Sequence, residues 1–158
     1  MIRHVAAGIV VNKGKVAMET LGTTERVRTS RRCQLIDITD HVARLVGQAQ
    51  GHGLAFIYVP HTTAGITIQE NADPDVQHDL LRKLETLVPK EEAYYQHNEG
   101  NSDSHVKTAL VGNSVQVLVE RGRLVLGQWQ GIYLCEFDGP RERTVLVRFF
   151  DFTKPRVD

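Results

Sequence analysis

Ser114-Val-Gln-Val-Leu-Val-Glu120, followed by Arg121-Gly122 and then Leu124-Val-Leu126, is the stretch that decides the fold class. It reads as strand, two-residue hairpin turn, strand. Two further β-prone runs follow, at residues 129–137 and 143–150. Upstream, residues 54–59 form a compact apolar run of the kind buried on both faces, stopped by Pro60, and residues 66–68 form a shorter one. Residues 25–32 mix polar and β-branched side chains as a half-exposed strand does, and residues 34–38 continue as a short apolar strand. Two amphipathic helices fall between these runs. The first is capped by Thr39 or Asp40, runs to about residue 50 with Val42, Leu45, Val46 and Ala49 on one face, and ends at Gly51-His52-Gly53. The second starts with Asp73 as N-cap and Pro74 at the first helical position, carries Val76, Leu80, Leu84 and Leu87 as its buried stripe, and is closed by Pro89. A minor helix is predicted over residues 104–110, ended by Gly112. About seven short strands with two good helices and one minor one, and no regular βαβ alternation, make an α+β fold.

The composition suits one ordinary domain: 158 residues, 41% hydrophobic and 24% charged, which excludes a collagen-like, mucin-like or mostly disordered chain. Nineteen basic residues cancel nineteen acidic ones, so no long-range field draws the molecule to nucleic acid or anionic lipid, and neither is expected as a partner. The longest apolar runs, residues 5–11 and 54–60, are far shorter than a membrane span, and the basic-then-apolar start has no clean cleavage site. Cys33 and Cys135 match no paired motif and read as core thiols in a reducing, cytoplasmic setting. The expected organisation is a loosely ordered extension over residues 1–24, one domain over residues 25–152 and a tail over residues 153–158.

Polar residues that are costly to bury concentrate in three segments: His61-Thr62-Thr63-Ala-Gly65, Glu70-Asn71-Ala-Asp73-Pro-Asp75, and the long loop through His97, Glu99, Asn101 and His105. Imidazole is the commonest protein ligand for zinc, and His97 and His105 lie eight positions apart across a Gly-containing loop, with His61 at a strand end. Spacing alone leaves two readings open, a three-histidine site with an open position or ordinary hydrogen-bonded histidines. His4, His41, His52 and His78 lie outside these segments and read as bland. Asp73 and Asp75 are accounted for by helix capping, whereas Glu70 and Glu99 are candidate general acids or bases. Backbone N–H groups near Gly65 or over residues 104–106 could receive a phosphate oxygen. No P-loop, no G-x-G-x-x-G and no G-x-S-x-G is present, which disfavours P-loop nucleotide hydrolysis, dinucleotide binding and the serine-hydrolase elbow. Trp129, set between Gln128 and Gln130 and two glycines, is either a packed hairpin corner or a stacking surface. Arg141 and Arg143 read either as exposed turn-flanking charges or as an anion contact across a subunit boundary.

His61-Thr-Thr-Ala-Gly65, Glu70-Asn-Ala-Asp-Pro-Asp-Val76, His97 with Glu99-Gly100, His105-Val-Lys107, and Gly122-Arg-Leu124 through Gly127-Gln-Trp-Gln-Gly-Ile132 to Glu136 together resemble the YjbQ family, also labelled secondary thiamine-phosphate synthases. The resemblance spans roughly residues 25–150. It implies an α+β fold with a seven-stranded, two-sheet β-sandwich and a homotrimer about a threefold axis. It also implies a site with His61, His97 and His105 as metal ligands and Glu70 and Glu99 as catalytic groups. Thr62, Thr63, Asn71, Asp73, Asn101, Trp129 and Gln130 are then its substrate contacts. The implied activity joins a pyrimidine diphosphate to a thiazole phosphate, so the expected partner is a small phosphorylated or heterocyclic molecule. Three histidines suit zinc better than magnesium, which prefers oxygen ligands. The alternative is a non-catalytic trimer that binds a small anion or metabolite through the same histidines. The loop here reads Glu-Gly-Asn-Ser-Asp-Ser-His105, where many relatives carry Glu-Gly-Pro-Asp-Asp-Met-Pro-Ala-His.

Overall fold

The structure, a computed structural model, describes residues 20–153. Eight strands and three helices follow in the order β1 (Thr20–Arg28), β2 (Gln34–Asp37), α1 (Thr39–Ala49), β3 (Gly53–Tyr58), β4 (Ala64–Glu70), α2 (Pro74–Leu87), α3 (Ser102–Val111), β5 (Ser114–Glu120), β6 (Arg123–Leu124), β7 (Gln130–Glu136) and β8 (Glu142–Asp151). The class is α+β. One sheet has five strands in the order β1-β8-β3-β5-β6 and the other three in the order β2-β7-β4. All pairs are antiparallel. There are eight strands, one more than the seven the resemblance implies, and β6 contributes only a two-residue ladder behind its turn. Arg121 and Gly122 both take positive φ, 50° and 71°, the geometry a two-residue hairpin of this twist requires.

The sheets face each other across one apolar core. Ala55, Ile57, Val117, Val119, Val145, Val147 and Phe149 of the larger sheet meet Ala64, Ile66, Ile132 and Leu134 of the smaller, and Val42, Leu45 and Val46 of α1 join the same cluster. Both faces of the smaller sheet are covered, since Cys135 and Phe137 pack on its other side against Leu80, Leu81 and Leu84 of α2 and Val111 of α3. Among the described residues the larger sheet is covered on one face only. Along β3 and β8 burial alternates residue by residue, so β3 is not the doubly buried strand its run of apolar residues predicts. Leu54, Phe56, Tyr58, Leu118, Leu146 and Phe150 therefore share the outer face, with Tyr58 39% and Leu118 59% exposed.

Other boundaries shift for local reasons. β1 starts at Thr20 and ends at Arg28, because its partner β8 extends far enough to pair Thr20 with Phe150, so residues 20–24 belong to the domain. The expected extension over residues 1–19 and the tail beyond residue 153 lie outside the described residues. In α2 the Asp73 carboxylate accepts the Asp75 N–H at 2.9 Å, as a cap should, yet of the predicted stripe Leu84 alone is buried and Leu87 is 61% exposed. α3 begins at Ser102, two residues early. Both cysteines are free, Cys135 buried and Cys33 half-buried. Among the described residues no helix is long and apolar enough to cross a membrane.

α1 is not capped by Thr39 or Asp40. Asp37, the last residue of β2, accepts the Thr39 N–H at 2.8 Å and its hydroxyl at 2.6 Å through Oδ1, while Oδ2 takes the Asn71 amide at 2.9 Å. One carboxylate thus starts a helix and ties two strand ends together. Replacing it, Asp37→Ala, is expected to lower the unfolding free energy by about 1–2 kcal/mol, read as a shifted urea midpoint with unchanged slope.

Candidate functional site

Along the β4–β7 ladder Ala64 stands opposite Glu136 and Glu70 opposite Gln130. Six residue-to-residue steps separate those pairs, about 20 Å at the usual rise. The sequence-predicted site therefore divides between two ends of the smaller sheet.

At one end lie Glu70, Asn71, Asp73, Trp129 and Gln130. Asn71 is a knot in the fold: its N–H donates to the Trp129 carbonyl at 2.7 Å, its Oδ1 accepts the Tyr133 hydroxyl at 2.7 Å, and its amide donates to Asp37. Tyr133 in turn accepts from Gln77 at 3.0 Å, which fastens α2 to the sheet. Gln130 folds back on the Gly127 N–H at 2.8 Å, and Asp73 caps α2. Trp129 is 57% exposed, so its face is open rather than packed as a hairpin corner. Glu70 is half-buried at the strand end.

At the other end a buried ion pair joins the two sheets. Glu136 points into the core from β7, and Arg143 meets it from β8 with side-chain exposures of 0% and 5%. The guanidinium donates through Nε and Nη2 to the two carboxylate oxygens, and Nη2 also donates to the Thr63 hydroxyl at 2.9 Å. Glu136 further accepts the backbone N–H groups of Phe137 at 3.0 Å and Asp138 at 2.8 Å, and the Thr29 hydroxyl at 3.0 Å. The reading of Arg143 as an exposed turn charge or a subunit-boundary contact is thus corrected: its face of β8 is the core face. Arg141 is exposed but engaged, with Asp138 at 2.6 Å. Thr63 is buried and spent on Arg143, whereas Thr62 is exposed.

His61 lies beside this pair on the β3–β4 connection. Its Nε2 accepts the Thr144 N–H at 2.8 Å. Burial and then the Arg143 charge push its imidazole below the usual histidine range, with Glu136 opposing them. Asn113 holds the connection by donating to the carbonyls of Val59, His61 and Ala64 at 3.3, 2.7 and 3.3 Å.

The same end carries the start of α3. Asp103 is fully buried, gripped by Arg32 at 3.0 and 2.7 Å and by the buried Lys107 at 2.7 Å. Burial alone would raise the Asp103 carboxyl, and the hydrogen bonds from Arg32 and Lys107 outweigh it, holding it below the usual carboxylate range. Ser104 anchors the helix by donating to the Phe137 carbonyl at 2.6 Å. Asn101, 5% exposed, donates to Asp138 at 2.9 Å, and its Oδ1 has no partner among the described residues. It gives α3 no side-chain cap. His105 projects from the first turns, and His97 from the preceding loop meets it edge-on with ring centroids 5.3 Å apart. The Glu99 carboxylate stands 3.8 Å from His97 Nε2.

The 5.3 Å, 84° contact of the His97 and His105 rings is an edge-on aromatic pair. Two imidazoles on one tetrahedral zinc at Zn–N distances of about 2.0–2.1 Å have ring centroids about 5 Å apart. Among the described residues no group of three His, Cys, Asp or Glu side chains gathers at ligating distance. Further ligands to an ion on this pair would come from solvent, substrate or another chain. Sequence reading passed over Glu136, Arg143, Asp103, Lys107 and Asn113 as structural anchors. The available signal was a charge at a core-facing position of an otherwise apolar strand, as in Ile-Tyr-Leu-Cys-Glu136.

Residues 23–151 match the family model described as UPF0047 protein YjbQ-like. The UPF0047 protein YugU of Bacillus subtilis is 52% identical over 79% of this chain and 96% of its own length. A YjbQ/UPF0047 protein structure from Clostridium acetobutylicum superposes with a TM-score of 0.78 at 49% identity, covering 80% of this chain and 98% of that one. A structure from Sulfolobus solfataricus, described as a YbjQ-like protein of unknown function, gives a TM-score of 0.80 at 31% identity over 85% and 99%.

Removing one half of the inter-sheet ion pair strands the other in the core. Glu136→Ala is expected to cost about 3–5 kcal/mol in chemical denaturation, whereas replacing both partners, Glu136→Leu with Arg143→Met, recovers most of that loss.

Proposed function

The chain belongs to the YjbQ-like UPF0047 family, and from that membership and the geometry of α3 we propose that it is a metal-binding small-molecule enzyme. His97 and His105 hold a divalent ion, zinc in preference to magnesium, and a phosphorylated or heterocyclic substrate binds beside them. The 5.3 Å edge-on histidine pair is the observation that supports this reading best. The ion supplies Lewis acidity toward a phosphoryl or carbonyl oxygen. Glu99, close to His97, serves as the general acid or base. Glu70 and Trp129, at the far end of the sheet, take no part within the same subunit's histidine site. Transfer of a pyrimidine diphosphate onto a thiazole phosphate, forming thiamine phosphate, is the side activity to assay first.

A second reading rests on the start of α3, which no side chain caps and whose positive dipole end suits an anion, with the Ser104 and His105 N–H groups already donating to the Asn101 carbonyl. There the protein is a non-catalytic binder of a small anion. In either reading it works as a homotrimer in the cytoplasm, assembled through the apolar outer face of the five-stranded sheet.

Two measurements test this. Protein purified without chelator is expected to carry about one zinc per chain, and His105→Ala to weaken zinc binding at least 100-fold. Full occupancy in a His97→Ala, His105→Ala double variant sinks the metal site, and phosphate binding without metal selects the second reading. Leu118→Arg, on the exposed sheet face, is expected to convert a trimer into monomers by light scattering with unchanged circular dichroism; an unaltered mass rules that face out.

A further inference from the structure

His61 belongs to the histidine trio that the family resemblance offers as metal ligands, yet its surroundings differ from those of His97 and His105. β3 and β8 pair in antiparallel register from Gly53 opposite Asp151 to Tyr58 opposite Leu146. Continued by two residues, that register would bring Pro60 opposite Thr144. β3 has ended there: the Val59 N–H still prolongs the β3–β5 register to the Asn113 carbonyl, but no hydrogen bond joins Pro60 to Thr144 among the described residues. The Thr144 N–H is left without a strand partner, and the His61 ring folds back to accept it at 2.8 Å. The imidazole thus takes the place of a missing ladder carbonyl.

A backbone amide can only donate, so Nε2 must present its lone pair, and a neutral imidazole then carries its proton on Nδ1. This is the reverse of what a metal ligand needs. A ligating histidine turns one lone pair to the ion and donates its other N–H to a carbonyl or carboxylate, whereas here the second nitrogen faces a donor. No hydrogen bond to Nδ1 forms among the described residues, and the ring is half-buried at the mouth of the β3–β4 connection next to exposed Thr62. The buried Arg143 charge nearby opposes a second proton on the ring.

We infer that His61 is not a metal ligand but a neutral imidazole fixed in the Nδ1-protonated tautomer by Thr144, and that its Nδ1–H donates to an anionic oxygen of the bound small molecule. The donor role rests on the proposed small-molecule site; the tautomer does not.

Long-range proton–nitrogen spectra of the full chain, with the His61 signals identified by their loss in His61→Gln, test both parts. The metal-free protein is expected to show the Nδ1–H pattern at His61. Added zinc should shift the His97 and His105 nitrogens and leave those of His61 in place, and inorganic phosphate, the probe for an anionic oxygen, should move the His61 Nδ1–H signal. His61→Gln, whose side-chain oxygen can still accept the Thr144 N–H, should bind zinc within about twofold of the parent chain. An Nε2–H pattern in the metal-free protein, a direct zinc shift at His61, or a tenfold loss of zinc affinity in His61→Gln overturns the tautomer assignment. A His61 signal unmoved by saturating phosphate overturns the donor role. Zinc that binds to no histidine would defeat the metal reading while leaving the tautomer to be judged by the metal-free spectrum alone.

Discussion

The Arg143–Glu136 pair is the constraint around which one end of this molecule is organised. Its charges come from the two facing sheets and sit in the core, where an unpaired ion would be costly, so the sheets can close only in a register that brings them together. Each satisfied hydrogen bond then recruits another segment: Thr63 from the β3–β4 connection, Thr29 beyond β1, and the backbone at Phe137 and Asp138 after β7. The position of His61 follows from that closure. A buried ion pair of this kind contributes less to net stability than to uniqueness of arrangement.

The far end of the smaller sheet is held differently. Asn71 satisfies three partners from β2, β7 and the loop before β7, and no charge is buried there. The motif residues Asn71 and Asp73 therefore have structural duties that explain their chemistry without a ligand. Polar residues rare in cores concentrate at both ends of the same strand pair. In sequence they look like one site, because a strand of seven residues separates them by very little chain.

Much of the architecture was legible in the sequence. The hairpin at Arg121-Gly122, the Asp73-Pro74 helix start and the amphipathic face of α1 each carry a local signal that tertiary structure did not override. The misses share a cause, which is that the deciding partner is distant in sequence. Thr20 is a strand residue because Phe150 lies opposite it, Asp37 caps α1 from the preceding strand, and Leu87 stays exposed although its spacing fits the buried stripe. For the site, sequence drew attention to all three histidines but could not tell a ring that faces a backbone donor from two rings that face each other. That distinction depends on where β3 stops relative to β8.

The two histidines near α3 are mounted unequally. His105 rides on a helix pinned by a fully buried carboxylate held between Arg32 and Lys107, and by a serine bonded to the Phe137 carbonyl, so the backbone that carries its ring is tied to the core. His97 stands on an exposed loop with few ties to the rest of the domain. The arrangement is a vice with one fixed jaw and one adjustable jaw. Loop length and composition can change without touching the buried contacts that hold α3, so the separation of the two rings is set by the loop and not by the core.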